Sequence, residues 1–252
     1  MKKIHFTDKY ILNPTHPITV NLIGVGGTGS QVLGALARIN HALVALGHSG
    51  LHVTAYDPDE VSLANIGRQQ FSVVDHGLNK AVVLVTRINR FFGSDWQAVP
   101  ALYSQGRPAN IMISCVDSVK SRLAIANAIR NGSNSIDHKQ KMYWMDFGNG
   151  ANHGQVVLGT LGRIEQPKSE KYETVSEMKV ITELFDLSQV NEEESGPSCS
   201  LAEALRKQDL FINSTLAQLG CALLWKLLSA GSIDYQGMYL NLDTMKVNPI
   251  KL

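Results

Sequence analysis

The sequence predicts an α/β fold, a doubly wound mixed sheet with helices on both faces. Between residues 18 and 130, short apolar runs suited to buried strands alternate with stretches of helical periodicity. A glycine cluster follows the first of these runs, where a strand would hand over to a helix. Two later apolar runs flank a glycine- and asparagine-rich turn, which adds antiparallel strands to an otherwise parallel sheet.

Ile18–Val25 is mostly apolar and ends among glycines, as a central strand covered on both faces requires. Behind it Val32, Leu33, Leu36, Ile39, Leu43 and Leu46 recur at helical spacing, so Thr28–Leu46 forms a helix packed on the sheet. Leu51–Tyr56 is the second strand, with Asp57 at its carboxyl end, and Leu78–Phe92 a second amphipathic helix. Trp96–Tyr103 and Asn110–Val116 are the next strands, followed by a helix over Val119–Ile129. Met142–Phe147 and Gln155–Leu161, joined across Gly148–Gly154, read as a hairpin or an antiparallel addition to the sheet. Charged clusters between Glu165 and Pro197 suggest a surface crossing with a short helix near Ser176–Phe185, and residues 165–198 are expected to form a mobile loop. Leu201–Leu228 is a long helical region, apolar after Thr215, and Met238–Val247 a closing strand.

A chain of 252 residues with 44% hydrophobic content can bury one sizeable core. One domain over residues 1–252 is expected, with 18–130 as its core and 131–252 as its closing part. The balance of 23 basic against 22 acidic residues, a formal +1, gives no drive toward nucleic acid or an anionic membrane. The first ten residues hold no apolar signal core, and Leu216–Leu228 is too short to span a bilayer and carries Gln218 and Lys226. A soluble, cytoplasmic protein is expected. Its three cysteines, Cys115, Cys199 and Cys221, form neither a disulfide framework nor a Cys-x-x-Cys zinc pair.

Gly24, Gly26, Gly27 and Gly29 open a helix after a strand, so their backbone N–H groups and the helix dipole suit a phosphate. This is the first half of a Rossmann-like nucleotide site. Asp57, at the end of the next strand, is placed to accept from ribose hydroxyls. Arg68 and Lys80 supply positive charge where a departing pyrophosphate would develop its own negative charge. Asp117 follows an apolar strand at the edge where such sheets bind ligands, and its carboxylate suits Mg²⁺ held against phosphate oxygens. Its alternative role is to cap the helix beginning near Val119. Cys199, at the start of the long helical region, is the one cysteine suited to a nucleophile, because a helix N-terminus lowers a thiol pKa. Its alternative role is a small capping or buried residue.

Gly24-Val-Gly-Gly-Thr-Gly-Ser30, Asp57-Pro-Asp-Glu-Val61, Asn65-Ile-Gly-Arg-Gln69, Lys80, Arg87-Ile-Asn89 and Cys115-Val-Asp-Ser118 with Arg122 together resemble the ThiF/MoeB/ubiquitin-activating enzyme superfamily. The similarity covers residues 18 to 130 well, and the later part is most similar to the ThiF-family protein of plasmid-borne PRTRC systems. The resemblance implies an ATP- and Mg²⁺-dependent adenylyltransferase acting on the C-terminal glycine of a small ubiquitin-like or sulfur-carrier protein. It implies Gly24, Gly26, Gly27 and Gly29 around the phosphates, Asp57 and Asp59 in the nucleotide site, and Asn65, Arg68, Gln69 and Lys80 along the triphosphate. It puts Asp117 at the metal and implies a homodimer.

This chain lacks the Cys-x-x-Cys pairs of many relatives, so no structural zinc is expected, and residues 1 to 20 hold no arginine of the kind a neighbouring subunit often supplies. A non-catalytic nucleotide- or partner-binding subunit is therefore the alternative to an enzyme. An NAD-dependent oxidoreductase is the third reading, although that chemistry has no required place for Arg68, Lys80 or Asp117.

Overall fold

The computed structural model describes residues 1–104, 108–132, 140–187 and 201–252. The elements run β1 (Lys2–Phe6), α1 (Lys9–Leu12), β2 (Ile18–Ile23), α2 (Gly27–Ala45), β3 (Leu51–Tyr56), α3 (Lys80–Phe92), β4 (Gln97–Val99) and β5 (Ile111–Ser114). They continue with α4 (Val119–Asn131), β6 (Tyr143–Asn149), β7 (His153–Thr160), β8 (Tyr172–Thr174), α5 (Ile181–Leu184), α6 (Leu201–Lys207), α7 (Ile212–Ala230), β9 (Ser232–Ile233), β10 (Tyr235–Asn241) and β11 (Lys246–Lys251).

The main sheet has the order β11-β10-β7-β6-β5-β2-β3-β4. Strands β6, β5, β2, β3 and β4 are parallel, and β7, β10 and β11 add to them antiparallel, so the expected mixed sheet is what forms. The twofold alternation of strand side chains divides the core cleanly. Ile111, Ile113, Tyr143, Met145 and Phe147 face one layer with α2, α3 and α7, whereas Met112 and Trp144 face the other with α4 and α5. Gly220 lets α7 sit close to the sheet, because a Cβ there would lie 2.3 Å from the Phe147 ring.

Several elements differ from the sequence expectation. The strand expected over Trp96–Tyr103 is only β4, because Trp96 turns into the core and donates its indole N–H to the Leu51 carbonyl at 3.1 Å. The region read as one helix over Leu201–Leu228 is two, α6 and α7, interrupted at residues 208–211, where the Asp209 N–H donates to the Ala151 carbonyl at 2.7 Å. The closing strand is a hairpin, β10 and β11, with Met245 in the left-handed region at φ 51°. Of the stretch 165–198, residues 165–187 carry β8 and α5, and the rest lies outside the described residues.

β1, which periodicity did not reveal, forms a three-stranded sheet with β8 and β9. It carries His5, fully buried, whose Nδ1 lies 2.7 Å from the Val175 carbonyl and whose Nε2 lies 3.0 Å from the Tyr143 hydroxyl. The carbonyl can only accept, so Nδ1 holds the proton and Nε2 accepts from Tyr143. Burial lowers the pKa of this imidazole below its ordinary 6.5. Below that pH the unfolded chain binds a proton that the native chain refuses, so stability falls as pH drops, by up to about 1.4 kcal/mol per pH unit. Denaturant unfolding at about pH 7.5 and about pH 5.5 should show this loss, and His5→Gln should diminish it. Equal acid sensitivity in the two proteins would mean another group is responsible.

Candidate nucleotide site at the carboxyl edge of the sheet

Parallel register assembles the site. Ile23 pairs with Tyr56 on β3 and with Ser114 on β5, so the three next residues, Gly24, Asp57 and Cys115, emerge side by side. The Gly24 N–H donates to the Tyr56 carbonyl and the Cys115 N–H to the Ile23 carbonyl, each at 2.8 Å. The chain builds β3 and β4 on one side of β2, then β5 and β6 on the other, and such a switch in strand order opens a crevice at the carboxyl ends.

The four glycines do different things. Gly24 has φ +83°, and a Cβ there would stand 2.8 Å from the Cys115 carbonyl oxygen. At Gly29 a Cβ would lie 1.9 Å from the Gly24 carbonyl oxygen, so this glycine lets α2 begin against the end of β2. At Gly27 it would meet the Asn213 amide oxygen at 2.7 Å. Only Gly26 has room for a Cβ, which would make an ordinary contact with the Gln69 amide at 3.9 Å. Gly24, Gly26 and Gly27 are half-buried and Gly29 is buried, so an outside group can approach the backbone at the first three.

Asp57 is buried, and its two carboxylate oxygens accept the Val25 N–H at 2.7 Å and the Asp59 N–H at 2.9 Å. Burial pushes this carboxyl above its ordinary pKa, against the pull of those two N–H bonds and of Lys80. Each oxygen keeps a lone pair for a further donor such as a ribose hydroxyl. The buried Lys80 Nζ donates to the exposed Asp59 carboxylate at 2.9 Å. Asn79, which the sequence reading missed, caps α3 through Val82 N–H and donates to the Asp57 and Asp59 carbonyls. Asn65 turns its side-chain oxygen back onto the Ser62 N–H at 2.9 Å, capping a short 3-10 turn over Leu63–Asn65.

Arg68 and Gln69 hold two of the four buried side-chain atoms without a partner among the described residues, the others being the Tyr10 and Thr182 hydroxyls. Arg68 Nη1 donates to the Gln208 amide oxygen at 2.6 Å, while its buried Nε has no hydrogen-bond partner among the described residues. No carboxylate pairs with it there, and burial lowers the pKa of its guanidinium, which stays charged near neutrality. The buried Gln69 side-chain oxygen is likewise unpartnered among the described residues. Buried polar atoms left in this state favour a ligand that would bond them.

Asp117 is exposed, two residues beyond Cys115, and has no partner among the described residues. It does not cap α4: Ser118 does, accepting the Ser121 N–H at 3.1 Å. Among the described residues no three His, Cys, Asp or Glu side chains converge as a metal cage. Magnesium bound mainly through phosphate oxygens needs only one or two carboxylates, so Asp117 fits that mode. Cys221 is buried, its thiol pushed up to about 12, and burial raises Cys115 well above the ordinary thiol value, as suits core residues. Cys199 lies outside the described residues.

Arg122, quoted only as part of the family pattern, anchors the Asp117 loop. Its Nε donates to the Asp146 carboxylate at 3.1 Å, and Nη2 to the Val116 carbonyl at 2.7 Å and the Phe147 carbonyl at 3.0 Å. Both partners are buried, and Ser114 donates to Asp146 at 2.5 Å. Burial pushes the Asp146 carboxyl up, while the Arg122 charge holds it back. Removing one member of such a pair leaves the other charge buried and uncompensated. Asp146→Asn should therefore cost about 3–5 kcal/mol in denaturant unfolding. A midpoint within error of the parent would refute the role assigned to the pair.

The model of the ThiF family matches residues 15–251. Ubiquitin-like modifier-activating enzyme 5 of Drosophila virilis is 30% identical over 135 residues, covering 46% of this chain and 31% of that protein. The Branchiostoma floridae protein of the same name is 27% identical over 180 residues, covering 62% of this chain and 40% of that one. The chain thus spans less than half the length of these relatives. Among solved structures, E. coli MccB superposes with a TM-score of 0.60 at 16% identity, covering 96% of this chain and 63% of MccB, and it has also been crystallised with ATP. PaaA superposes with a TM-score of 0.58 at 14% identity, covering 93% of this chain and 64% of PaaA. These two likenesses concern the fold, while the family match spans nearly the whole sequence, and the chain belongs to the ThiF family.

Proposed function

We propose that this protein binds ATP at the carboxyl edge of its sheet and adenylates a carboxylate, the C-terminal glycine of a small ubiquitin-like or sulfur-carrier protein. The observation that carries the proposal is the pair of unmatched groups, Arg68 Nε, a donor for a phosphate, and the amide oxygen of Gln69, an acceptor for a hydroxyl or amino group, with Gln69 beside Gly26, the least crowded glycine of the loop. A half-buried cation without an anion favours one. MccB, solved with ATP and with MccA, supports both a nucleotide and a small peptide or protein acceptor. The curated relatives named as activators of ubiquitin-like modifiers support the same acceptor class.

In this reading the attacking carboxylate oxygen bonds to the α-phosphorus as the bond to the β-phosphate bridging oxygen breaks, and pyrophosphate leaves. The carboxylate is already ionised near neutrality, so no general base is needed. Arg68 and Lys80 stabilise the charge that develops on the leaving pyrophosphate, and Lys80 must exchange Asp59 for phosphate to do so. Asp57 would orient the ribose. Asp117 would hold Mg²⁺, whose contribution is to neutralise phosphate charge. Cys199 is proposed to receive the activated acceptor as a thioester after adenylation. A homodimer is proposed on the family likeness.

One observation favours the non-catalytic alternative: β1 is tied into a small sheet with β8 and β9 of its own subunit, and residues 1–20 carry no arginine to lend to a neighbour.

Gly26→Ala should weaken ATP binding by obstructing the backbone, and it should also cost stability, since φ −75° with ψ −133° lies outside the regions open to a residue with a Cβ although no neighbouring atom crowds the new methyl group. Calorimetric titration with ATP tests this, and undiminished affinity would move the phosphates away from Gly26. ATP–pyrophosphate exchange with Mg²⁺ and small proteins ending in glycine tests turnover. Exchange should require the acceptor's terminal carboxylate, vanish in Asp117→Ala and persist in Cys199→Ala. ATP binding without exchange would favour the non-catalytic subunit, and selective binding of NAD would overturn the assignment.

A further inference from the structure

We infer that Gln208, backed by Asn213, is a positioning residue for the triphosphate end of the nucleotide, an inference that rests on the ATP-binding reading above. Both residues stand at the corner between α6 and α7, far in sequence from the glycine loop. The Gln208 side-chain oxygen accepts from Arg68 Nη1 at 2.6 Å and from Asn213 Nδ2 at 2.9 Å, and its Nε2 donates to the Gly150 carbonyl at 3.1 Å. The buried Asn213 oxygen accepts from Thr28 Oγ1 at 2.9 Å and Asn149 Nδ2 at 3.1 Å. One continuous set of hydrogen bonds therefore runs from the guanidinium to the first turn of α2, and Gly27 is glycine because Asn213 occupies the space of a side chain.

The chemistry of the acceptor is what assigns the role. A carboxylate at position 208 would hold Arg68 as firmly but cancel its charge, and a phosphate would have to displace it. An amide fixes the long, flexible side chain while leaving its positive charge uncompensated and its Nε free. The corner is itself anchored, because the Asp209 N–H bonds to the Ala151 carbonyl and the Phe211 N–H to the Asp209 carboxylate, each at 2.7 Å. Gln208 thus acts through Arg68.

The test is a double-mutant cycle on nucleotide affinity. Gln208→Met keeps the side chain's length and removes the acceptor. It should weaken ATP binding about tenfold and leave AMP, which lacks the β- and γ-phosphates, within about twofold of the parent. In an Arg68→Ala background it should cause no further loss, since residues acting as one unit are non-additive. If Gln208→Met does not fold, Gln208→Glu replaces it: this variant keeps the oxygen that Arg68 bonds but adds a competing charge, so ATP affinity should again fall and AMP affinity hold. Equal loss for ATP and AMP, or full additivity with Arg68→Ala, would overturn the positioning role while leaving the nucleotide site intact. A native chain that binds no ATP would overturn both.

Discussion

The buried carboxylate of Asp57 is the interaction on which the rest of the site depends. It stands where β3 ends and takes N–H groups from two loops, Val25 of the glycine loop and Asp59 of its own. An ionised carboxylate out of water is costly, and here two short, charge-assisted hydrogen bonds and the nearby Lys80 offset that cost. The arrangement converts strand register into loop geometry. Gly24 at positive φ turns the chain over the end of the sheet, and Asp57 captures the next N–H before the chain enters α2. A neutral residue at position 57 could not hold both loops in this way, so the same side chain serves the fold before it serves any ligand.

Buried Arg122 and half-buried Arg68 show how partner chemistry sorts structure from binding. Arg122 is matched by the Asp146 carboxylate and two carbonyls, so its charge is used up inside the protein, bracing β6, α4 and the loop before Asp117. Arg68 has an amide as its partner and an idle Nε. The buried Nε of this half-buried side chain is the atom left without compensation, and a ligand acceptor would supply it. The same contrast holds between Lys80, whose partner Asp59 is exposed and screened, and a lysine sealed in a buried pair.

Local periodicity carried the central part of the fold into view. β2, α2, β3, α3 and α4 lie where their apolar spacing put them, because each buries a continuous face against the sheet. β1 escaped notice because Lys2–Phe6 alternates weakly and is stabilised by partners near residues 173 and 233. The break at residues 208–211 also went unseen: helical spacing resumes on both sides, and the interruption depends on Ala151, a contact with no local signature. The site divides along the same line. Gly24, Asp57, Arg68 and Asp117 were legible as motif residues, whereas Gln208 and Asn213 reach Arg68 and Thr28 across 140 and 185 positions. An asparagine at the buried start of a helix that turns apolar after Thr215 was the one clue to them.

The glycine loop, so readable in the sequence, turns out to say more about backbone geometry than about the ligand. Gly24 and Gly29 are required by contacts of backbone with backbone, and Gly27 by the Asn213 side chain. A chain could need all three with no phosphate in sight. What distinguishes a binding site from a tightly wound turn is therefore the glycine that no neighbouring atom crowds, Gly26, together with polar atoms that the protein leaves unbonded. These coincide around Gln69, whose amide is the nearest neighbour of the space at Gly26 and whose oxygen is unpartnered among the described residues. A nucleotide would draw on this surplus of hydrogen-bonding capacity, which folding itself does not consume.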